Sequence, residues 1–299
     1  MVNQKIMKKI IVVMFSLVLV KNGLAQTTSN IPYQALLNVN PSFAGTNGGV
    51  RNQAFAELPS KGGYRMYNFS NAFDCYLPSL KSGIGLLYNY QSMGDVLRIQ
   101  NATLIYSRHF KVGEKLKIVP SLQGGVLRRE INYTWMYSPQ RGWQSEQNYA
   151  IGYGVLVNYK NFYAGFNSSS IDYLPATGAN SSRFFYFKHS FHASYNLNLT
   201  ENFHVNFSGQ LSSEPARSNA LISANFLVYK HFIMGATRAS DVVGYNAGVR
   251  TDLFTAQVSY KSYISSLMPD NTLDYWQLML SFNMRNKDLR HAVTNFEAW

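Results

Sequence analysis

Residues 184–212 alternate strictly between apolar and polar side chains over more than twenty positions. Phe185, Phe187, Phe191, Ala193, Tyr195, Leu197 and Leu199 are set against Tyr186, Lys188, Ser190, His192, Ser194, Asn196 and Asn198. After Thr200-Glu201-Asn202 the rhythm resumes, with Phe203, Val205, Phe207, Gly209 and Leu211 set against His204, Asn206, Ser208, Gln210 and Ser212. Successive side chains of a strand point to opposite faces, so a period of two over this length specifies a β-hairpin with one apolar and one polar face. If the turn closes on Glu201, Asn198 faces His204, Asn196 faces Asn206, His192 faces Gln210, Leu197 faces Val205 and Tyr195 faces Phe207. The strands are long. About 10 residues cross a bilayer as a tilted strand, whereas ordinary strands have about 5–6.

The same reading along the chain predicts fourteen strands, at 48–58, 63–76, 82–92, 98–110, 114–128, 149–159, 162–171, 184–199, 203–213, 217–229, 231–239, 243–251, 253–262 and 273–285. In the sixth, Ile151, Tyr153, Val155, Val157 and Tyr159 oppose Gly152, Gly154 and Asn158. In the last, Trp276, Leu278, Leu280, Phe282 and Met284 oppose Gln277, Ser281 and Asn283. Even-numbered connections are minimal (Lys160-Asn161, Thr200-Glu201-Asn202, Lys230, Asp252). Odd-numbered ones are mostly longer (129–148, 172–183, 263–272). Short turns at one end and longer loops at the other are the pattern of an outer-membrane barrel, with the short turns in the periplasm. An even strand count then places both chain ends there. A soluble β-sandwich would have shorter strands and would need a second sheet over its apolar face. The expected fold is therefore an all-β, 14-stranded antiparallel outer-membrane barrel over 48–285. Residues 26–47 form a lead-in or plug, and 286–299 a polar periplasmic tail. Phe187, Tyr195, Phe207, Leu211, Trp276, Leu278 and Phe282 should face lipid. His192, Asn196, Asn206, Gln210 and Asn283 should face a wet lumen, where an Arg at Asn206 would be tolerated.

The beginning of the chain agrees. Lys5, Lys8 and Lys9 precede an apolar run from Ile10 to Val20, then Gly23-Leu24-Ala25. This is the charged, apolar and small-residue order of a secretory signal, with cleavage expected after Ala25. Eleven apolar residues are too few for a membrane helix, which needs about 20. Gln26 rather than Cys follows, which argues against a lipoprotein. The single cysteine, Cys75, excludes a disulfide framework and shares the lipid-facing register of Phe69 and Phe73. Removing the four lysines of 1–25, a segment without acids, takes the formal charge from +12 to +8. The bases are scattered singly along strands, so the clustered footprint of a nucleic-acid protein is missing and no nucleic-acid partner is expected.

No catalytic constellation is legible. His189 and His192 are an odd number of residues apart and fall on opposite faces of a strand. His192 and His204 share a face but lie about six residues apart along the hairpin, too far for one metal ion. No Gly-x-Ser-x-Gly elbow occurs, and Gly83-Ile84-Gly85 and Gly152-Tyr153-Gly154 are strand glycines without a following helix. Asp74 projects into the polar register, where a lumen Arg would pair with it. We expect no enzyme activity, no cofactor and no metal.

Leu36-Leu37 leads into Asn38-Val39-Asn40-Pro41-Ser42-Phe43-Ala44-Gly45, with Tyr33 upstream. Asn-Pro ends any strand or helix, because Pro lacks an N–H and restricts the residue before it. Asn40, Pro41, Ser42, Phe43, Ala44 and Gly45 resemble the opening element of the PorP/SprF family. Members are outer-membrane proteins of the type IX secretion and gliding machinery of the Bacteroidetes. Chain length and the all-β barrel fit that family; the polar tail after Met284 departs from it. The resemblance implies a non-enzymatic subunit whose partners, besides outer-membrane lipids, are periplasmic lipoproteins of the machinery and/or the C-terminal domain of a secreted adhesin. Asn40–Gly45 is then either a plug or a docking element. Trp135, Tyr137 and Trp143, in the longest connection, suit a surface contact. The alternative is a FadL-like barrel transporting small lipophilic molecules. That family also has fourteen strands and an N-terminal Asn-Pro plug, but its chains are much longer.

Overall fold

The computed structural model of the chain describes residues 36–60, 66–132, 134, 142–172, 185–214, 217–239, 242–263 and 274–285. These form a closed antiparallel barrel of fourteen strands. The strands are β1 (Gly49–Pro59), β2 (Met66–Leu77), β3 (Ser82–Met93), β4 (Leu97–Arg108), β5 (Leu116–Asn132), β6 (Trp143–Tyr159) and β7 (Phe162–Asp172), then β8 (Phe185–Asn198), β9 (Phe203–Glu214), β10 (Arg217–Val228), β11 (Phe232–Ala239), β12 (Val242–Arg250), β13 (Phe254–Tyr263) and β14 (Asp274–Arg285). Each pairs with its neighbours in sequence, and β14 closes the ring on β1 with Ala54 opposite Leu280. The signal segment, the lead-in before Leu36, the loops 173–184 and 264–273 and the tail 286–299 lie outside the described residues.

β4 continues as Phe110–Val112 after an interruption at His109. The register does not slip: Ser107 lies opposite Ser121, and Phe110 opposite Ile118. Pro120 lies across from the interruption and has no N–H to give the ladder. The central hairpin falls in the expected register, with His204 opposite Asn198, Asn206 opposite Asn196, and Gln210 opposite His192.

The expected loop at 129–148 is corrected. Its flanks 129–132 and 143–148 are ladder, Asn132 pairing with Trp143, so β5 and β6 reach 17 residues each. The sequence hid this because Arg128, Arg129, Glu130 and Glu146 break the apolar alternation. Their pairing replaces it: Arg129 bonds Glu146 at 3.0 Å across the two strands.

Outward side chains make an apolar band. Leu104 is 70% exposed, Leu122 65% and Phe282 58%, exposures that suit lipid rather than water. Phe187, Phe207, Leu211, Trp276 and Leu278 are exposed on the same face, and His192 and Asn206 are buried on the other. Leu278→Arg should therefore cost on the order of 2–4 kcal/mol of barrel stability. A refolding titration in which this variant matches the parent would reverse the assigned faces.

Inside, the lumen differs from the wet one expected. Every strand carries inward side chains that are buried, among them Ser121, Asn206, Asn225, Asn246, Gln257 and Gln277. Asn206 is 1% exposed and donates to the Ser194 hydroxyl at 2.7 Å. An Arg there would overpack a filled space, at about 1–3 kcal/mol.

Candidate functional site

The lumen is filled from the chain itself. After one helical turn, α1 (Leu36–Val39), Asn40 is extended (φ −156°) and Pro41 opens a 3-10 turn through Phe43. Pro suits a first helical position because its missing N–H would be unpaired there anyway. The Asn40 side chain folds back to accept the Ser42 N–H at 2.9 Å. Gly45 leaves the turn at φ +72°, a left-handed conformation that favours glycine. These local rules give Asn-Pro-Ser-Phe-Ala-Gly a compact hook, and the barrel surrounds it.

The six residues of the hook are all buried, Asn40, Ser42, Phe43 and Ala44 at 0% exposure. Leu36, Leu37, Val39, Phe43 and Ala44 share one apolar cluster with the inward Ala72, Leu87, Ile105, Val119, Leu156 and Tyr163 of β2–β7. The Phe43 ring meets Tyr163 edge-on at 5.8 Å and His192 at 5.5 Å. Burying a side chain of this size favours the docked state by about 1.5–3 kcal/mol.

Polar contacts fix the hook's position. Asn40 Nδ2 donates to the Val155 and Phe166 carbonyls, at 3.2 and 3.1 Å, bridging β6 and β7. The Ser42 and Ser121 hydroxyls are 2.7 Å apart. Asn167 donates to the Val39 carbonyl, and Ser107 Oγ to that of Ala44 at 2.8 Å. His109 Nε2 lies 3.0 Å from the same Ala44 oxygen. A buried polar group without a partner is costly, and these wall residues satisfy the hook's backbone.

A clamp closes the hook's end. Arg51 and Asp74 face each other across β1 and β2, with Nε 2.8 Å from Oδ1. Asp74 Oδ2 accepts the Gly45 N–H at 2.7 Å, and Arg51 Nη2 donates to the Phe43 carbonyl at 3.0 Å. The ion pair expected of Asp74 is therefore present, and it grips the hook. Glycines make the space: a Cβ at Gly83 would overlap the Ala44 carbonyl, and one at Gly154 would crowd the Asn40 side-chain oxygen.

The wall residues that hold the hook lie within a few positions of the short turns after β2, β4 and β6, so it seals the short-turn half of the lumen. Trp143 lies at the opposite end, in β6 rather than in a loop, with the Arg98 guanidinium 4.3 Å from its ring centre. Trp135 and Tyr137 are outside the described residues. Sequence reading brought the six hook residues together but missed Arg51, Ser107, His109, Ser121 and Asn167. Their signal was faint: small polar residues at single inward positions.

A family model described as "Type IX secretion system membrane protein PorP/SprF" matches residues 29–282, which include the hook and nearly the whole barrel. The chain belongs to the PorP/SprF family. No curated protein matches it. Among solved structures it is similar to the CymD monoaromatic hydrocarbon channel (9% identity, TM-score 0.53, covering 86% of this chain and 94% of that one). The Pseudomonas putida toluene transporter TodX matches at 10% identity and TM-score 0.46, over 86% and 94% of the two chains. The NanC porin matches at 10% identity and 0.43, over 78% and 100%. At such identities the likeness is one of fold. Family and fold together give this PorP/SprF member an outer-membrane role with the type IX secretion system.

Proposed function

We propose that this PorP/SprF chain is a non-enzymatic anchor of the secretion and gliding machinery, a sealed barrel that holds other proteins rather than passing solutes. The observation that supports this reading most is the filled lumen: the hook occupies the short-turn half, and inward side chains are buried on all fourteen strands. A solute channel would wet those side chains. In this reading the short turns and both chain ends face the periplasm, where lipoproteins of the machinery bind the tail 286–299. Lipid surrounds the wall, and the C-terminal domain of a secreted adhesin rests on the outer end, beside Trp143. A partner that touched Asn40–Gly45 would first have to draw the hook from the lumen, so we assign that element to sealing.

Deleting 286–299 should leave the barrel heat-modifiable on gels and remove co-purifying periplasmic lipoproteins. Removing 133–142 should release surface cargo instead. If both deletions leave secretion and co-purification intact while uptake of small lipophilic molecules fails, the FadL-like transport reading replaces this one.

A further inference from the structure

β6 has an unused edge. On one side it pairs with β5 along its whole length, from Trp143 opposite Asn132 to Tyr159 opposite Leu116. On the other side β7 accompanies it only from Tyr159 up to Gly152, which lies opposite Ser169. β7 then departs, since Ser170–Asp172 pair with Phe187–Phe185 of β8 and not with β6. At the parting point the Ile151 N–H is taken by a side chain, Ser170 Oγ, at 2.8 Å. Backbone groups of alternate residues share one edge of a strand. Those of Trp143, Ser145, Gln147 and Tyr149 therefore point the same way as Ile151, with no ladder partner among the described residues.

This edge lies beyond the membrane. About 10 residues cross a bilayer as a tilted strand, which from Tyr159 reaches about residue 150. Free edges are normally blunted by Pro, Lys or a bulge, because they template pairing with another chain. Trp143–Tyr149, Trp-Gln-Ser-Glu-Gln-Asn-Tyr, has none of these devices. Its outward face presents Trp143 and Tyr149, the latter 74% exposed.

We propose that the β6 edge from Trp143 to Tyr149 receives an extended segment of a partner protein, which joins the sheet as an antiparallel strand in the place β7 vacates. The proposal rests on the reading that the outer end holds a protein, and it specifies how. Strand addition draws affinity from main-chain hydrogen bonds and specificity from alternate side chains. Charge defines the segment further. Arg128 is paired with Glu130 and Arg129 with Glu146, whereas Arg98, stacked on Trp143, has no carboxylate partner among the described residues. The fitting segment sets apolar side chains beside Trp143 and Tyr149 and ends with an acid beside Arg98. A second copy fits poorly, because two barrels upright in one membrane would present their β6 edges in parallel.

Amide hydrogen exchange separates the possibilities, comparing the full-length barrel alone with the complex purified from native outer membranes. Amides of Ser145, Gln147 and Tyr149 should exchange fast in the barrel alone and be protected in the complex. Gln147→Pro removes an edge N–H without touching the β5 ladder, and edge strands tolerate Pro there. It should weaken partner retention about tenfold, with Gln147→Ala near the parent. Protection already present in the barrel alone would mean the chain's own 173–184 covers the edge. Protection that vanishes on dilution would mean a second copy, and equal effects of Pro and Ala a side-chain contact; each overturns the proposal. A complex that keeps its partner without protection at 143–149 defeats the strand but not the anchor. A preparation with no secretion partner at all defeats the anchor reading itself.

Discussion

Asp74→Ala is expected to destabilise the folded protein by about 3–5 kcal/mol, the cost of stranding one member of a buried ion pair. Arg51 keeps its charge at 5% side-chain exposure with no carboxylate beside it, and the Gly45 N–H loses its acceptor. The variant should unfold at lower denaturant in detergent, and its hook should be cut first by added protease. Arg51→Met with Asp74→Leu tests the cause. A buried pair replaced by apolar residues is often neutral, so this double variant should lose only the part due to the unmet Gly45 N–H, about 1–3 kcal/mol. Equal losses in the single and double variants would show that volume at this site, not charge, decides stability.

How far the sequence reveals this molecule depends on which side chains repeat. The barrel was legible because lipid imposes one rule on every strand, and Phe187, Phe207, Trp276 and Leu278 obey it with period two. The β5–β6 extension was not, because above the membrane that rule lapses and paired charges such as Arg129 and Glu146 hold the ladder. The hook was half legible. Asn40-Pro41 and Gly45 announce a turn, but where it docks is written in the exceptions of other strands. In β6 the polar register Gly152, Gly154 and Asn158 is interrupted by Leu156, and that Leu is 0% exposed in the hook's apolar cluster. Leu87, Ile105 and Val119 break the polar register of β3, β4 and β5 in the same way. An apolar residue in the lumen register of four strands is a signal for something apolar inside the barrel. The ion-pair partner of Asp74 could not be chosen from the sequence, because it required the register of β1 against β2.

Gly83→Val is expected to expel the hook while leaving the wall intact. Gly83 faces inward on β3, and its missing side chain is where the backbone of Ala44 and Gly45 crosses the wall. A Cβ there meets a main-chain carbonyl, which cannot rotate aside as a long side chain would. The hook must lift, losing Ser107 and His109 from the Ala44 oxygen and loosening Asp74 from Gly45. Overpacking of about 1–3 kcal/mol corresponds to a rise of roughly 5- to 150-fold in the population of the undocked hook. Limited proteolysis of residues 36–48 should accelerate by that factor, with the barrel still heat-modifiable. Gly124→Val on β5 is the control: a Cβ there meets nothing within 4 Å, so its proteolysis should match the parent. Conductance across a planar bilayer then bears on function. Inward side chains of β8–β14 are buried away from the hook as well, among them Ser208, Asn225, Thr237, Asn246 and Gln257. An undocked hook should therefore leave conductance at background, as an anchor requires. A steady channel in Gly83→Val that is absent from Gly124→Val would instead make the hook a gate and the barrel a passage.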